Sequence, residues 1–392
     1  MASSLRVALF SGNYSYQRDG ANKALNRLVA YLERQEIPVL VFSPTVKTAP
    51  FEHDGTLVSA PSIAIPGRSE YRLGLPLSAE LKGDIDAFEP SLIHLSAPDW
   101  LNHSALSFAE HRGLPKVASF HTRFDTYLDH YGLGWLAESC RKRMAAFYAR
   151  CDDVFVPCDS MADTLHQEGI LKRPAKRWSR GIEHRHFSPG HRDTEWRQSQ
   201  GFKDTDVVIS FVGRLVREKG LDKFADMMGE LARRGVPAKA LIVGDGPEKN
   251  AMTRRLPGAI MTGHISGAEL SRAYASSDIF VNPSLTETFG NVTLEAMASG
   301  VAPICVAATG SADLVETGEN GILVSRADGS LLADAAAKLI QNTEMRQDLA
   351  RAARQSSYKY DWDTILAEVV DGYYDVLART SQFGQSKVPL AA

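Results

Sequence analysis

The stretch LRVALFSGNYSYQRDGANKALNRLVAYLERQEIPVLVFSP, residues 5–44, contains the pattern that decides the fold. It begins with the short apolar run LRVALFS and ends with a second one, IPVLVFSP, and each is typical of a buried strand. Between them, apolar side chains recur at the spacing i, i+3, i+4 and i+7: they are Leu25, Leu28, Val29 and Leu32. This spacing predicts an amphipathic helix. A helix that joins two strands makes a βαβ unit, and such a connection predicts a parallel sheet.

The same alternation of strand and helix patterns continues along the chain. Further strand-like runs occur at residues 91–96, 116–121 and 152–158. A second series opens at DVVISFVGRL, residues 206–215, and continues to GILVS, residues 321–325. These two series predict an α/β protein with two Rossmann-like, doubly wound domains. Because ligands of such sheets bind beyond the carboxyl ends of the strands, we expect a ligand in a cleft between the domains.

Domain boundaries follow from composition. The stretch KRPAKRWSRGIEHRHFSPGHRD, residues 172–193, is rich in proline, glycine and charge and has no period, as is typical of a linker. We therefore predict an N-terminal domain of residues 1–180 and a C-terminal domain of residues 181–361. A chain of 392 residues is longer than one hydrophobic core usually serves, which agrees with two domains. The last apolar pattern predicts a long helix in segment 362–392 that packs back on the N-terminal domain.

Composition also bounds the function. A hydrophobic content of 44% and a charged content of 23% are ordinary for a globular protein, and the net charge of -3 gives no reason to expect a nucleic-acid partner. The four cysteines form no C-x-x-C pair, so neither a disulfide framework nor a metal site is predicted. No signal-peptide core and no run of about 18 apolar residues occurs. We expect a cytoplasmic protein, soluble or peripheral on the inner face of the cytoplasmic membrane.

Two acids lie in LTETFGNVTLEAMASG, residues 285–300. Glu287 and Glu295 have the residue types of a glycosidase acid/base pair, but a continuous helix would hold their Cα atoms about 12 Å apart along its axis and about 80° apart around it. Gly290 makes a continuous helix unfavourable, and Asn291 is expected to act as the N-cap of a new one. Free N–H groups at the start of that helix favour an anion. The stretch therefore predicts a phosphate site with an acid on either side.

Two glycine-bearing loops offer further groups. FVGRLVREKG, residues 211–220, places Arg214 and Lys219 between a strand and a helix, where two cations can hold one phosphate group; the alternative is a solvated loop. LIVGDGPE, residues 241–248, lacks the third glycine of a dinucleotide fingerprint and is interpreted as a tight turn.

The loop SGNYSYQRDGANK, residues 11–23, is interpreted as a substrate loop, with a plain connection as the alternative. Its candidate contacts are Gly12, Tyr16, Gly20 and Lys23.

Three other segments have alternative interpretations. His121 ends a predicted strand and faces the proposed ligand, although an isolated histidine is often structural, as we expect of His94. Residues 135–150 form either a basic amphipathic helix on an anionic membrane or a core helix with a solvated basic face. Residues 65–77 are predicted to be a loop that either contacts an amphiphilic acceptor or closes the first domain.

These motifs resemble the retaining glycosyltransferases of family 4, which have the GT-B fold. The resemblance is carried by GRLVREKG, VGDGPE, TGHISGAEL, AYASSDIFVNPSLTETFGNVTLEAMASGVAPICV and the E-x7-E spacing, over residues 207–326. The first half matches through its glycine loop and SFHT. The family implies a nucleotide-sugar donor, with a UDP-sugar favoured, bound mainly by the C-terminal domain. It also implies an acceptor bound mainly by the N-terminal domain and no cofactor or metal.

The resemblance also implies a role for individual residues. Arg214 and Lys219 would hold the donor diphosphate, while Glu295 would bind the ribose and Glu287 the transferred sugar. His121 corresponds to a histidine near O6 of that sugar. Backbone amides complete the donor contacts, at Phe289, Gly290, Asn291 and Val292. Gly20 takes the place of one glycine where the family commonly has two, and Lys23 and Arg123 are candidate cations for an acidic sugar, together with Arg18.

A narrower similarity concerns the acceptor. SFHTRFDTYLDHYGLGWL and DGANKALNRLVAYL are similar to enzymes that glycosylate diacylglycerol and other membrane lipids, including sulfoquinovosyl- and glucuronosyl-diacylglycerol synthases and mannosyltransferases. We therefore expect transfer to a lipid such as diacylglycerol or ceramide at a membrane surface. The alternatives are a GDP-mannose-dependent mannosyltransferase acting on a glycolipid or soluble saccharide, a phosphorylase or epimerase, and a non-catalytic nucleotide-sugar-binding protein.

Overall fold

The computed structural model describes residues 5–16, 20–49, 51–65, 68–123, 134–308 and 310–385. The chain divides into two compact units. Unit 1 consists of residues 1–179 and 362–392, and unit 2 consists of residues 180–361. Arg18 and residues 386–392, which belong to the predicted substrate loop and C-terminal segment, lie outside the described residues.

Unit 1 alternates strands and helices from its first element onward. Its elements are β1 (Val7–Phe10), α1 (Gly20–Arg34), β2 (Val39–Ser43), β3 (Thr56–Ser59), β4 (Ser62–Ile65), β5 (Arg68–Gly74), α2 (Ala79–Phe88), β6 (Leu92–Leu95), α3 (Trp100–Arg112), β7 (Lys116–Ser119), α4 (Ala137–Tyr148), β8 (Asp153–Val156), α5 (Asp159–Gln167), β9 (Lys176–Arg177) and α14 (Trp362–Gln385).

Unit 2 repeats the alternation. Its elements are α6 (Thr194–Ser199), β10 (Val208–Val212), α7 (Leu221–Arg233), β11 (Lys239–Val243), α8 (Lys249–Arg255), β12 (Ile260–Gly263), α9 (Gly267–Ala275), β13 (Ile279–Asn282), α10 (Asn291–Ala298), β14 (Ala302–Val306), α11 (Ser311–Leu314), β15 (Ile322–Val324), α12 (Gly329–Gln341) and α13 (Thr343–Ser357). Short 3-10 turns lie at Gly134–Leu136, Pro189–His191 and Arg217–Lys219.

The opening βαβ unit is confirmed. Strands β1 and β2 pair in parallel, with Val7 opposite Val39, and the four apolar side chains of the predicted helix are buried in α1. The full sheet of unit 1 has seven strands in the order β3-β2-β1-β6-β7-β8-β9, and its neighbouring strands are parallel. Unit 2 has a six-stranded parallel sheet in the order β12-β11-β10-β13-β14-β15. The predicted α/β fold class is therefore correct.

The prediction of a loop at residues 65–77 is wrong for its central part. Strand β5 pairs with β4 in an antiparallel hairpin, with Leu73 opposite Ile63. The guanidinium of Arg72 donates to Ser62 Oγ at 2.7 Å and to the Ser62 carbonyl at 3.0 Å. Because a hairpin strand is stabilised mainly by its partner, the residues of β5 alone carry too little pattern to predict it.

Helix α14 packs within unit 1. A Cβ added at Gly372 would lie 2.8 Å from Phe155 Cζ, so the helix backbone touches that ring directly. The hydroxyl of Tyr373 lies 2.5 Å from Nδ1 of His94, whose Nε2 lies 3.0 Å from Ser119 Oγ. Burial lowers the pKa of His94 to about 3, so this histidine is neutral at physiological pH. Its contacts are those of a structural histidine.

Both sheets reverse their strand order beside their first strand. In unit 1 the chain moves outward from β1 to β2 and β3, and then returns to place β6 on the other side of β1. In unit 2 it moves from β10 to β11 and β12 and returns to place β13 on the other side of β10. Such a topological switch point opens a crevice at the carboxyl ends of the two central strands, because the loops leave them in opposite directions.

Arg197 is a buried charge in unit 2. Its side chain is 2% exposed and donates to the carbonyls of Ser276 at 2.5 Å and Asp206 at 2.8 Å, and it lies 3.3 Å from the carboxylate of Asp278. Asp278 in turn accepts from the backbone N–H of Val208 at 2.8 Å. The guanidinium thereby connects α6 to the edge of the central strands β10 and β13.

We predict that Arg197→Met destabilises the protein by about 3–5 kcal/mol, because it leaves Asp278 and several carbonyls without their buried cation. Thermal and urea unfolding measure the loss. The control is Arg351→Met, since Arg351 is 76% exposed and pairs with Asp348 on its own helix. Equal effects of the two substitutions would contradict a special role for the buried guanidinium.

Candidate functional site

The first candidate site lies at the switch point of the second sheet. Strand β10 ends at Val212 and is followed by the loop 213–220, whereas β13 ends at Asn282 and is followed by the loop 283–290. Because the two strands are parallel neighbours, these loops leave the same edge of the sheet. The predicted Arg214, Lys219 and Glu287 lie on them, and α10 starts directly afterwards.

Lys219 and Glu287 form an ion pair across the two loops. Lys219 Nζ lies 2.7 Å from Glu287 Oε1, and the side chains are 30% and 13% exposed. Hydroxyl groups hold the loops in register, since Ser284 Oγ and Thr286 Oγ1 both donate to the carbonyl of Glu218, at 3.3 and 3.4 Å. The cation and the carboxylate are therefore fixed beside one another while both remain partly open to solvent.

Gly220 permits this close approach. Its φ of 71° is left-handed, and a Cβ at this position would lie 2.7 Å from the carbonyl oxygen of Pro283. Any side chain here would push the Lys219 loop away from the Glu287 loop. Arg214, on the same loop, is exposed, and among the described residues its guanidinium has no ion-pair partner. Arg217 turns instead to Glu248, at 3.1 Å, and is 87% exposed.

Helix α10 presents an uncapped N-terminus. It begins at Asn291, one residue after the predicted N-cap position, because Gly290 takes the cap position with a φ of 97°. This left-handed conformation favours glycine, and no side chain of the described residues caps the first turn. The Asn291 prediction is therefore wrong by one residue. The N–H of Thr293 donates to the Gly290 carbonyl at 2.9 Å, so the N–H groups of Asn291 and Val292 are those that an anion from outside would meet, and the helix dipole favours an anion there.

The segment before α10 is anchored in the core. The ring of Phe289 is 3% exposed and lies edge-on to Tyr360, with 5.7 Å between ring centroids. Its backbone touches Gly310, where a Cβ would lie 2.7 Å from the Phe289 carbonyl carbon. The side chain of Phe289 is thus structural, and its backbone, with that of Gly290, Asn291 and Val292, forms the uncapped helix start.

Glu295 is held by a tyrosine that the sequence analysis did not single out. The hydroxyl of Tyr274, at the end of α9, donates to Glu295 Oε2 at 2.9 Å. Burial first, and then the negative charge of Glu295, raise the pKa of Tyr274 well above its usual value, so the hydroxyl stays a donor. The negative charge of Glu287 raises the pKa of Tyr274 in the same direction. One carboxylate oxygen of Glu295 is therefore fixed in direction.

The candidate site residues of unit 1 make contacts mainly with other residues of that unit. His121 lies two residues beyond β7, is half-buried, and packs edge-on against Trp178 with 5.1 Å between ring centroids. Arg123 is 12% exposed and lies 2.8 Å from Glu168, so its charge is compensated within unit 1. Tyr16 is buried, and its hydroxyl donates to the Gly12 carbonyl at 2.8 Å.

Gly20 and Lys23 lie in the first turn of α1, and Lys23 is exposed. Tyr16 therefore supports the backbone after β1 from inside, while Lys23 points to solvent.

Helix α4 has an apolar face in the core and a basic face in solvent. Met144, Phe147 and Tyr148 are buried, whereas Lys142 and Arg143 are exposed. In the turn before it, Trp135 is 77% exposed. Over the described ranges, no helix is both long and apolar enough to cross a membrane. The same ranges contain no cluster of three histidine, cysteine, aspartate or glutamate side chains suited to a metal ion.

Comparison with known proteins identifies the family. Residues 192–356 match the model "Glycosyl transferases group 1", and residues 18–186 match the model "Glycosyltransferase Family 4". The chain is also 33% identical to the GDP-mannose-dependent alpha-mannosyltransferase of Mycolicibacterium smegmatis, over 96% of this chain and 99% of that protein.

The chain belongs to glycosyltransferase family 4.

Other relatives of this glycosyltransferase include Sulfoquinovosyl transferase SQD2 of Arabidopsis thaliana, which is 30% identical over 94% of this chain and 73% of that protein. Solved structures share its GT-B fold. Sucrose-phosphate synthase from Thermosynechococcus elongatus superposes with a TM-score of 0.74 at 18% identity, over 96% of this chain and 100% of the other. Anabaena Alr3699/HepE, in complex with UDP and glucose, superposes with a TM-score of 0.74 at 18% identity, over 95% of this chain and 100% of the other. The predicted membership of glycosyltransferase family 4 and the predicted GT-B fold are confirmed.

We predict that Gly220→Ala lowers both stability and sugar transfer. Alanine at a left-handed φ costs about 1–2 kcal/mol, and its Cβ would also collide with the Pro283 carbonyl and displace Lys219 from Glu287. Thermal unfolding and transfer assays measure the two effects. Gly229→Ala is the matched control, because Gly229 lies in α7 with nothing within 4 Å of an added Cβ, and it should stabilise the helix by up to about 1 kcal/mol. Retained transfer in Gly220→Ala would show that the close approach of the loops is dispensable.

Proposed function

We propose that the protein transfers a hexose from a nucleoside-diphosphate sugar to a hydroxyl group of a membrane lipid or glycolipid, with retention of configuration. The observation that carries the proposal is the Lys219–Glu287 pair, which lies at the switch point of the second sheet directly before the uncapped start of α10. This arrangement places a cation on the loop after β10, and a carboxylate and a helix N-terminus on the neighbouring loop after β13. A diphosphate bearing a sugar needs all three.

The positive groups would hold the donor diphosphate. Lys219 supplies a point charge, the exposed Arg214 supplies a planar fork, and the first amides of α10 supply N–H donors. Negative charge grows on the leaving diphosphate as the bond to the sugar breaks, and fixed donors stabilise that charge without reorganising. Since these groups are cationic or dipolar already, we propose that no metal ion is required.

The two glutamates would hold the rest of the donor. Glu295 has one oxygen held by the Tyr274 hydroxyl, and we propose that its carboxylate accepts from the ribose hydroxyls. Glu287 would accept hydrogen bonds from the transferred sugar while its contact with Lys219 holds it in place. His121, in unit 1, would bind near O6 of the sugar, as the family resemblance implies.

The chemical step follows from these contacts. With the diphosphate stabilised, the sugar develops oxocarbenium-like character, and the acceptor hydroxyl attacks from the side that the phosphate leaves. The leaving phosphate takes the proton of the acceptor hydroxyl, which preserves the anomeric configuration without a carboxylate nucleophile. Neither Glu287 nor Glu295 would act as a glycosidase-type acid, because the first is paired with a lysine and the second with a tyrosine hydroxyl.

A lipid acceptor is supported by the relatives. Among them are Sulfoquinovosyl transferase SQD2 of Arabidopsis thaliana and, at 23% identity over 96% of this chain, the alpha-monoglucosyldiacylglycerol synthase of Acholeplasma laidlawii. The sequence motifs favour a UDP-sugar donor. A second candidate is GDP-mannose, because the relative from Mycolicibacterium smegmatis bears that name and is similar along its whole length. Both candidates use the same diphosphate site.

We predict that Arg214→Ala and Glu287→Ala each lower the transfer rate on the order of a hundredfold or more, because each removes a group that contacts the reacting sugar phosphate. The matched control is Arg217→Ala, since Arg217 lies on the same loop but turns to Glu248. Circular dichroism and thermal unfolding check that the variants are folded. Normal transfer by either site variant in folded protein would overturn the assignment of the site.

A donor and acceptor panel tests the function itself. Purified protein is incubated with UDP-glucose, UDP-glucuronate or GDP-mannose and with diacylglycerol, ceramide or glucosyl-diacylglycerol in mixed micelles, and products are measured by mass spectrometry. We expect transfer to a lipid from one donor class, with retained anomeric configuration by NMR and activity in the presence of EDTA. Transfer to soluble saccharides alone would overturn the lipid acceptor, and inversion would overturn the mechanism.

A further inference from the structure

The switch point of the first sheet carries a second candidate site. Strand β1 ends at Phe10 and leads to Gly12, whereas β6 ends at Leu95 and leads to Asp99. The two strands are parallel neighbours, with Phe10 opposite Leu95. The loops after β1 and β6 therefore leave the same edge, as the loops after β10 and β13 do in unit 2. The same topological rule that locates the Lys219–Glu287 pair thus points to Gly12 and Asp99.

The two residues are in direct contact. A Cβ built on Gly12 would lie 2.6 Å from Asp99 Oδ2, so the carboxylate rests against the Gly12 backbone. The loop is held in this position because the Tyr16 hydroxyl donates to the Gly12 carbonyl. A glycine that allows a carboxylate to approach the backbone at a switch point has the geometry of a binding crevice.

The two carboxylate oxygens of Asp99 have different surroundings. It is the N-cap of α3, and its Oδ1 accepts from the backbone N–H and from Nδ2 of Asn102, both at 2.8 Å. Asn102 is fully buried and is itself fixed by the backbone N–H of Ser96, which donates to its Oδ1 at 3.0 Å. Both Asn102 donors lie on Oδ1, and the backbone N–H of Leu101 also interacts with the carboxylate, while Oδ2 is the oxygen that lies against Gly12.

The charge of Asp99 is not compensated. Burial raises its pKa, and the hydrogen bonds from Asn102 and from the backbone N–H of Leu101 only partly oppose that effect. Other shielded carboxylates here have a cation, as Asp278 has Arg197 and Glu287 has Lys219. Asp99 has no ion pair in the described ranges. Asp99 is partly buried, so a carboxylate without a cation costs free energy there, and a hydroxyl donor from a bound molecule would offset that cost.

We propose that Asp99 Oδ2, beside Gly12 at the switch point of the first sheet, binds a hydroxyl group of the acceptor. The inference rests on the proposed transfer, and it specifies the acceptor as a neutral molecule with free hydroxyls, because a carboxylate repels phosphate and sulfate groups. A glycerol or sugar headgroup of a lipid has this chemistry, and so does a soluble glycoside. The residue is a binding residue that selects the acceptor and leaves the donor site untouched.

We predict that Asp99→Asn lowers kcat/KM for the acceptor by about 10- to 100-fold, the loss expected for one hydrogen bond to a charged group. The thermal shift produced by UDP or GDP, and the slow hydrolysis of the donor without acceptor, should change less than twofold. Asparagine is as good an N-cap as aspartate, so α3 is preserved, and the melting temperature should stay equal or rise. Gly12→Ala should reproduce the loss, because its Cβ displaces the carboxylate. Asp84→Asn, at an exposed acid of α2, is the control.

The assay arms separate the possible outcomes. Diacylglycerol in micelles and methyl α-D-mannopyranoside in solution distinguish a lipid headgroup from a soluble source of the hydroxyl. Unchanged acceptor kcat/KM in Asp99→Asn overturns the proposal, and so does a lower melting temperature with loss of the nucleotide shift, which would assign Asp99 to the fold. If the wild-type protein transfers sugar to no acceptor, the proposed function fails. Asp99 can still be tested then by ligand-observed NMR with methyl α-D-mannopyranoside. Binding that is equal in wild type and Asp99→Asn, or absent in both, overturns the inference.

Discussion

The rest of this protein depends on one constraint. The first strand of each sheet pairs in parallel with a neighbour on both sides. Parallel strands need crossover helices, so the chain must leave β1 and β10 in one direction and return on the other side. The backbone polar groups of those strands are satisfied by their neighbours, and the crevice at their carboxyl ends is left for side chains. The ion pair of unit 2 and the Gly12–Asp99 contact of unit 1 occupy equivalent positions for this reason.

Much of the fold was predictable because buried parallel strands and amphipathic helices have strong periodic signals. The apolar spacing of α1 and the runs of β1 and β2 were sufficient to predict the first βαβ unit. The hairpin of β4 and β5 was not, since its strands are stabilised by one another and by Arg72, whose partner Ser62 lies ten residues earlier in the sequence. The start of α10 was displaced by one residue, because Gly290 adopts a left-handed conformation that favours it over Asn291 at the cap.

The charged residues of the candidate site were predictable from the sequence, but the residues that hold them in position were not. Arg214, Lys219, Glu287 and Glu295 are recognisable in motifs that also resemble a family. Tyr274 has no such signal, since a tyrosine on an amphipathic helix is ordinarily a core residue, and only the fold shows that its hydroxyl reaches Glu295. Ser284 and Thr286 are likewise ordinary loop residues until the Glu218 carbonyl is placed between them. Arg123 shows the opposite case, because its pairing with Glu168 gives it a structural partner that the sequence did not indicate.

The position of α14 has a consequence for the order in which the protein is built. Unit 1 takes its last helix from the end of the chain, after unit 2 is complete in the sequence. Until that helix emerges from the ribosome, the ring of Phe155 lacks the backbone of Gly372 against it and His94 lacks the Tyr373 hydroxyl. The half of the protein that is synthesised first therefore cannot complete its packing until its last helix has been made. The second unit, whose segments are continuous in the chain, is free to fold while the first one waits for its final helix.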